Sequence, residues 1–220
     1  MATNSLPITW QIGEHIAAVG DTGTGKTYLV SQLVKMRQYV VIYRTKPDDI
    51  KFPGFTRSKK ASALENVNNE RILLTPDYEA QPRQGYEMLE TVWQHGNWTV
   101  VIDELWYAEQ MGLRKHIERL LTQGRSKGIS VIVGMQRPAQ VSRFAISQCT
   151  HLFTFRTEGR DTKTIAEATT PRIIEPINNL QGHNFVYFYR KARALAIGNA
   201  RQMDRVLVGR KTPAKVLTPP

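Results

Sequence analysis

The amino-acid sequence predicts an α/β fold with a mainly parallel central sheet and a C-terminal β-hairpin. Short apolar runs that suit buried strands alternate with segments of helical periodicity, and this alternation is typical of parallel βαβ units. Hydrophobic residues make up 41% of the 220 residues, which is enough to form a sizeable core. Charged residues make up 22%, and this balance argues against a disordered chain.

The elements of the first half follow from apolar runs and from helical spacing. Strands are predicted at HIAAV (15–19), YVVIY (39–43) and RILLT (71–75). Leu29, Leu33 and Met36 fall near one face of a helix that we predict over 27–36. A second helix is predicted over 84–94.

The second half continues the alternation of strand and helix. Strands are predicted at WTVVI (98–102), ISVIVG (129–134) and HLFTF (151–155). Between the first two of these, Leu113, Ile117, Leu120 and Leu121 have the spacing of one helix face. Near the end of the chain, NFVYFY and ALAIG flank RKAR, and this arrangement predicts the antiparallel hairpin.

The composition divides the chain into one domain over residues 1–200 and a basic tail over 201–220. The tail is predicted to be mobile, and either a solvated terminus or a basic arm on nucleic acid suits it. Its charged residues are Arg201, Asp204, Arg205, Arg210, Lys211 and Lys215. Residues 51–70 are polar, with Arg57, Lys59 and Lys60, and are predicted to form a long loop or insertion.

The charge balance and the lack of targeting signals narrow the class of protein. Thirty Lys and Arg residues against 19 Asp and Glu residues give a net charge of +11, which attracts nucleic acid, nucleotides or anionic lipid. We see no apolar run of the ~18 residues that a membrane span requires, and no secretory signal. The single Cys149 suits a small buried side chain in a reducing compartment. We therefore expect a cytoplasmic protein without a membrane span.

The segment GDTGTGKT (20–27) matches the phosphate-binding pattern G-x-x-x-x-G-K-[ST] between a predicted strand and a predicted helix. Its glycines let backbone N–H groups converge on phosphate oxygens, and the helix N-terminus adds partial positive charge. Lys26 is expected to bridge the β- and γ-phosphates of ATP, and Thr27 to place its hydroxyl on Mg²⁺. The predicted nucleotide-binding residues are Gly20, Asp21, Thr22, Gly23, Thr24, Gly25, Lys26 and Thr27.

The strand in WTVVIDEL ends in two carboxylates, Asp103 and Glu104. In an open α/β sheet, ligands bind at the edge where the strands end. We expect Asp103 to hold Mg²⁺ through water and Glu104 to orient or deprotonate the attacking water. The alternative is that the two carboxylates cap a helix N-terminus.

The stretch GISVIVGMQRP (128–138) begins as a buried strand and ends in Gln136, Arg137 and Pro138. In one large division of P-loop proteins, this next strand lies between the P-loop strand and the strand that carries the two carboxylates. The tip of the strand then lies beside the γ-phosphate, where Gln136 is expected to bond the phosphate and the attacking water. Pro138 ends the strand because it lacks a backbone donor. An exposed turn is the alternative.

Three segments together resemble the FtsK/HerA class of DNA-pumping ATPases: VGDTGTGKT, VVIDEL and GRSKGISVIVGMQRP, within about residues 17–155. The resemblance implies a RecA-like (ASCE-type) core, Mg-ATP hydrolysis between the subunits of a homo-oligomeric ring, and double-stranded DNA in the central channel. The larger members carry further domains that 220 residues do not accommodate. The size is similar to that of the genome-packaging ATPases of membrane-containing icosahedral viruses, the tectivirus-like group.

The same resemblance implies an arginine finger near the start of the glutamine-bearing strand. Arg125, in GRSKG, is the matching position, and Arg137 and Arg143 are the reserves. Such a finger neutralises charge on the phosphoryl group at a neighbouring subunit's site. The alternative is that Arg125 is a surface cation, stabilised by the dipole at the C-terminus of the preceding helix.

Aromatic and histidine side chains outside these motifs have simpler predicted roles. Phe185, Tyr187 and Tyr189 alternate on one face of the hairpin, and we predict core packing in preference to stacking on adenine or bases. Trp106 and Tyr107 suit either DNA contact or coverage of the sheet edge. His15 is predicted to be structural.

These observations predict an ATP-hydrolysing translocase of double-stranded DNA that packages a viral genome into a capsid. We expect it in the host cytoplasm and in the virion, with a capsid vertex or a membrane-associated viral protein as a partner. The alternatives are a conjugation or plasmid DNA pump of the same superfamily, and an ATP-dependent assembly or membrane-remodelling factor that does not move DNA. A nucleotide kinase is disfavoured because Asp103, Glu104 and Gln136 suit hydrolysis.

Overall fold

The computed structural model describes residues 8–46, 52–66 and 68–203. The strands within these residues are β1 (Ile16–Val19), β2 (Val40–Tyr43), β3 (Thr56–Ser58), β4 (Arg71–Leu74), β5 (Thr99–Ile102), β6 (Ser130–Met135), β7 (His151–Thr154), β8 (Asn184–Tyr189) and β9 (Ala194–Asn199). The α-helices are α1 (Lys26–Leu33), α2 (Gln81–His95), α3 (Leu105–Ala108), α4 (Arg114–Gln123), α5 (Arg143–Gln148), α6 (Gly159–Ala168) and α7 (Ile174–Asn178).

The strands form one sheet in the order β3-β4-β2-β5-β6-β1-β7-β8-β9. Each neighbouring pair from β3 to β7 is parallel, whereas β8 and β9 are antiparallel additions at the β7 side. The predicted fold class is therefore confirmed, including the C-terminal hairpin. The predicted place of the glutamine-bearing strand, β6, between β5 and β1 is confirmed as well.

Helices cover both faces of the sheet, as a buried parallel sheet requires. Successive residues of β1 point to opposite faces, so Ala17 and Val19 enter one core while Ile16 and Ala18 enter the other. The first core contains buried residues of α2, α4, α5, α6 and α7. The second contains buried residues of α1 and of the N-terminal segment, Trp10 among them.

The described residues of segment 51–70 are not a loop throughout, which corrects the loop alternative of the sequence prediction; the insertion alternative stays a prediction. Thr56–Ser58 form β3 at the sheet edge, and Ala61–Glu65 form a 3₁₀ helix. Ala61 and Leu64 are buried in the first core. Strand β3 was not predicted because its three residues, TRS, are polar and partly exposed.

The predicted tail lies mostly outside the described residues, which end at 203. Its described residues belong to the fold: Arg201 and Gln202 lie in the 3₁₀ helix Ala200–Gln202, and Met203 is buried in the second core. The charged residues from Asp204 onward lie outside the described residues.

Four side chains with predicted structural roles have those roles in the fold. Phe185 and Tyr187 are buried and pack against Phe153, so core packing of the hairpin aromatics is confirmed. His15 is buried, its Nδ1 accepts a hydrogen bond from the backbone of β6 at 3.1 Å, and burial lowers its pKa to about 4. Cys149 is fully buried, and burial raises the pKa of its thiol to about 12.

No helix among the described residues combines the length and the apolar character that crossing a bilayer demands.

Candidate active site

The phosphate-binding segment forms the connection between β1 and α1. Gly20, Gly23 and Gly25 all have positive φ, at 148°, 81° and 111°, so the loop uses backbone conformations that favour glycine. A Cβ on Gly20 would lie 2.6 Å from the Cβ of Phe155, so a larger residue does not fit there. Gly25 is the N-cap of α1 and gives it no side-chain cap, so the first N–H groups of this helix are available to an anion.

Lys26 lies over this loop. Its Nζ donates hydrogen bonds to the backbone oxygen of Gly20 at 2.5 Å and to that of Asp21 at 2.7 Å. Burial lowers the pKa of Lys26 to about 8, against the opposing attraction of Glu104 and Asp103. The ammonium therefore lies in a partly desolvated position where a phosphate would stabilise its charge.

The two predicted carboxylates follow β5 at the same edge of the sheet. Desolvation is the largest influence on the pKa of Glu104 and raises it, and Nζ of Lys46 lies 4.0 Å from its Oε2. The backbone of Gln136 lies close enough to Glu104 to lower this pKa, against the larger effect of desolvation. The Glu104 side chain makes no capping hydrogen bond to α3, although it occupies the N-cap position, so the capping alternative does not describe Glu104. A carboxylate with a raised pKa is suited to accept a proton.

Asp103 is paired with Arg44, which was not among the predicted site residues. Its Oδ2 accepts a hydrogen bond at 2.8 Å from Nη1 of Arg44, a buried side chain just beyond the end of β2. Its Oδ1 has no hydrogen-bond partner within the part of the chain that the structure describes. The signal for Arg44 was the polar run RTK directly after YVVIY, at the edge where parallel strands end.

Gln136 joins the two halves of the site. Its Oε1 accepts a hydrogen bond from the Thr22 hydroxyl at 3.1 Å, while its backbone lies against Glu104. Two residues earlier, Gly134 permits the close approach of β6 and β5, since a Cβ there would lie 2.2 Å from the Asp103 backbone oxygen. The P-loop, the β5 carboxylates and the β6 glutamine therefore lie together at the ends of the parallel strands.

A cleft of about 410 Å³ opens beside Glu104 and Gln136. Trp106 and Tyr107 form part of its wall, and the choice between their two predicted roles stays a prediction. The cleft is lined by Thr45, Lys46, Glu104, Trp106, Tyr107, Gln136, Arg137 and Gln140.

Arg125 lies away from this site, in the 3₁₀ turn Gly124–Lys127 that precedes β6. Since β6 has six residues, it separates Arg125 from the site of its own subunit by about 20 Å. The side chain is exposed, and within the described residues its guanidinium has no hydrogen bond or ion pair. Arg137 and Arg143, the two reserves, pair with Asp161 at 3.2 Å and with Glu167 at 3.1 Å.

A phosphate-binding loop after β1, a carboxylate pair after β5 and a glutamine after the strand between them define a P-loop NTPase of RecA-like type. The DNA packaging ATPase P9 of Enterobacteria phage PRD1 is 28% identical to this chain over 167 residues, which cover 69% of this chain and 68% of P9. This likeness confirms the predicted resemblance to viral genome-packaging ATPases. No family model matches the chain.

Solved structures of other NTPases share the fold. The genome packaging NTPase B204 of Sulfolobus turreted icosahedral virus 2 has a TM-score of 0.71 at 17% identity, covering 86% of this chain and 98% of B204. The B204 DNA-packaging ATPase of Sulfolobus turreted icosahedral virus has a TM-score of 0.67 at 15% identity, covering 86% of this chain and 98% of B204. The pCW3 conjugation coupling protein TcpA has a TM-score of 0.56 at 14% identity, covering 85% of this chain and 60% of TcpA.

Proposed function

We propose that this P-loop ATPase packages a viral genome, using ATP hydrolysis to move double-stranded DNA into a capsid. The observation that carries the hydrolytic part is the position of Gln136, whose side chain bonds Thr22 of the phosphate loop and whose backbone lies against Glu104. It connects the phosphate loop to the carboxylate with the raised pKa. The packaging part comes from the relative P9, whose similarity extends over 69% of this chain.

The residues present also fit Mg²⁺. The Thr27 hydroxyl and the Asp103 carboxylate are oxygen ligands of the kind that Mg²⁺ prefers beside nucleotide phosphates. The buried Arg44 fixes one oxygen of Asp103 at 2.8 Å, which directs the carboxylate group. When bound, Mg²⁺ supplies positive charge against the phosphates.

Residues of the chain itself bind the phosphates, accept the proton and orient the attacking water. The loop amides and Lys26 bind the phosphates, because both present positive charge to them. Glu104 accepts the proton of the attacking water, and its pKa, raised by desolvation, suits that step. Gln136 orients the same water and contacts the γ-phosphate, so its bond to Thr22 exchanges for a bond to substrate.

We further propose that the site is completed by a second copy of the chain. Arg125 cannot serve its own subunit because it lies at the opposite end of β6. It is exposed and, within the described residues, unpaired, whereas Arg137 and Arg143 are held by acidic partners. A head-to-tail ring would bring Arg125 of one subunit to the site of the next.

The proposed partners outside the ring are duplex DNA and a capsid vertex or membrane-associated viral protein, in the host cytoplasm and the virion. The net charge of +11 supports a polyanionic partner. The likeness to TcpA concerns the fold alone, so it does not favour the conjugation alternative.

We expect nucleotide affinity to fall as the pH rises above about 8, because Lys26 has a pKa lowered to about 8 by burial. Bound phosphate raises that pKa, so binding at higher pH requires uptake of a proton and weakens by up to about tenfold per pH unit. Titration calorimetry with a non-hydrolysable ATP analogue in two buffers of different ionisation enthalpy measures both affinity and proton uptake. Lys26→Arg, which stays charged, is the control. A flat affinity for wild type up to about pH 9.5 contradicts the assignment.

Duplex DNA is expected to stimulate ATP turnover and to bind without sequence preference. If six or more phosphates are contacted, affinity falls by about 10³-fold or more between roughly 50 and 200 mM salt. Fluorescence anisotropy with two unrelated duplexes, run beside an ATPase assay with and without DNA, tests this. Stimulation by phosphatidylserine vesicles and not by duplex would instead support the membrane-remodelling alternative.

A further inference from the structure

The segment that follows Gln136 is held by a carboxylate from a distant helix. Oδ2 of Asp161 accepts a hydrogen bond from the Arg137 guanidinium at 3.2 Å. Oδ1 of the same side chain accepts one from the backbone N–H of Ala139 at 3.0 Å. One side chain therefore engages two positions of the turn that begins directly after Gln136.

Asp161 is itself firmly placed. It lies in the first turn of α6 and is 7% exposed. The hydroxyls of Thr157 and Thr162, both buried, bond each other at 3.0 Å across the start of this helix. A buried carboxylate with both oxygens bonded to a neighbouring segment restrains that segment, because breaking the contacts exposes unsatisfied polar groups.

The contact connects the segments that follow two strands, and these strands lie on opposite sides of the P-loop strand. Asp161 follows β7, and Arg137 and Ala139 follow β6, while β1 with its phosphate loop lies between these strands. The 3₁₀ turn Pro138–Gln140 starts with a buried proline, so the segment has few ways to adjust. A displacement at Arg137 moves its neighbour Gln136, whose side chain reaches Thr22 and whose backbone reaches Glu104.

We propose that Asp161 is a positioning residue for hydrolysis. It holds the turn after Gln136, so that Gln136 and Glu104 keep their positions relative to the phosphate loop. The proposal rests on the proposed ATPase function for its catalytic consequence. In the sequence QRP, each residue then has a role. Gln136 faces the reaction, Arg137 donates a hydrogen bond to Asp161, and Pro138 begins the restrained turn. Because Asp161 does not touch the phosphate loop, its loss should slow turnover and spare binding.

If Asp161 only stabilised helix α6, its loss would have a different effect. An acidic residue in the first turn also stabilises a helix through its dipole, regardless of any contact with the turn after Gln136. Glu158, the N-cap residue of the same helix, is a matched control, since its exposed carboxylate pairs with Arg156 at 2.9 Å and contacts neither Arg137 nor Ala139 in the structure. Glu158→Ala removes a charge at the same helix end and leaves the turn held.

The first measurement does not depend on hydrolysis. In hydrogen exchange followed by mass spectrometry, Asp161→Ala is expected to speed exchange in peptides covering 136–141 by about tenfold, since a charged hydrogen bond is lost. Glu158→Ala is expected to leave that segment unchanged. Equal exchange in Asp161→Ala and wild type overturns the proposal. If Asp161→Ala loses its native circular dichroism spectrum, Arg137→Gln replaces it, because the Arg137 side chain is 62% exposed.

The second measurement separates turnover from binding. Asp161→Ala is expected to lower kcat by about tenfold or more with KM for ATP within about twofold of wild type. Asp161→Asn, which keeps an acceptor for the Ala139 N–H, is expected to restore much of that loss. A double variant with Gln136→Ala is expected to be no slower than Gln136→Ala alone, because both act through the same group. Additive losses overturn the proposal, whereas a wild type without turnover overturns the proposed function and leaves the exchange result to decide on Asp161.

Discussion

Replacing Glu104 by glutamine is expected to abolish ATP hydrolysis while ATP binding persists. The amide has almost the same shape as the carboxylate and its oxygen still accepts hydrogen bonds, so the site keeps its geometry. It cannot take a proton from the attacking water, and loss of a general base lowers kcat by about 10²–10⁴-fold. Phosphate release measures kcat, and the anisotropy of a fluorescent ATP analogue measures binding.

Two further variants make this result specific. Glu175→Gln changes an exposed glutamate on α7 and is expected to hydrolyse ATP as wild type does. Lys26→Ala is expected to show the opposite pattern, with weakened binding, because its ammonium contacts the ground-state phosphates. Turnover by Glu104→Gln at the wild-type rate removes Glu104 from the reaction and points to a different proton acceptor.

The central part of the fold and site was open to prediction because its signals are local. A phosphate loop must follow a strand and open a helix, and 20–27 shows both flanks within a few residues. The runs that became β5 and β6 are apolar after their first residues, Thr99 and Ser130, as buried parallel strands are. The residues with predicted chemical roles follow immediately at the strand ends: Asp103 and Glu104 after β5, and Gln136 after β6. The order of strands then places Glu104 and Gln136 beside each other.

Contacts between distant segments were not open to prediction in the same way. Asp161 and Arg137 are 24 positions apart, and nothing in either local pattern indicates the pairing. Arg44 and Asp103 are 59 positions apart and meet only because β2 and β5 are neighbours in the sheet. The helices α5 and α7 were missed because six and five residues are too short to show a period. Pairing across a sheet is decided by packing, which sequence periodicity does not record.

The position of Arg125 sharpens a role that the sequence suggested only by resemblance. Since β1 and β6 are parallel and the loop follows β1, the ATP site lies at the edge where both strands end. Arg125 lies before β6, at the other edge. An arginine there is unable to act within its own subunit, so any contribution to hydrolysis requires a neighbour.

Arg125→Ala is therefore expected to bind ATP normally and to lose about 10³–10⁵-fold in kcat, since such fingers act on the transition state more than on the ground state. Lys127→Ala is the matched control. Lys127 belongs to the same 3₁₀ turn, but its Nζ lies over the Trp93 ring, 5.1 Å from the ring centroid. It is expected to keep most of the activity. Phosphate release and binding of a fluorescent ATP analogue measure the two quantities.

Mixing two inactive variants gives the decisive measurement. Arg125→Ala subunits keep Glu104 and the phosphate loop, while Glu104→Gln subunits keep Arg125. In a mixed ring, some interfaces combine an intact Glu104 with an intact Arg125 from the neighbour, so activity should return in proportion to those interfaces. Pull-down of affinity-tagged Arg125→Ala subunits with untagged Glu104→Gln subunits establishes that the variants assemble together. Absence of recovery in proven mixed rings, or full turnover by a strictly monomeric wild type, excludes Arg125 as the finger and transfers that role to Arg137 or Arg143, whose ion pairs with Asp161 and Glu167 would then have to break.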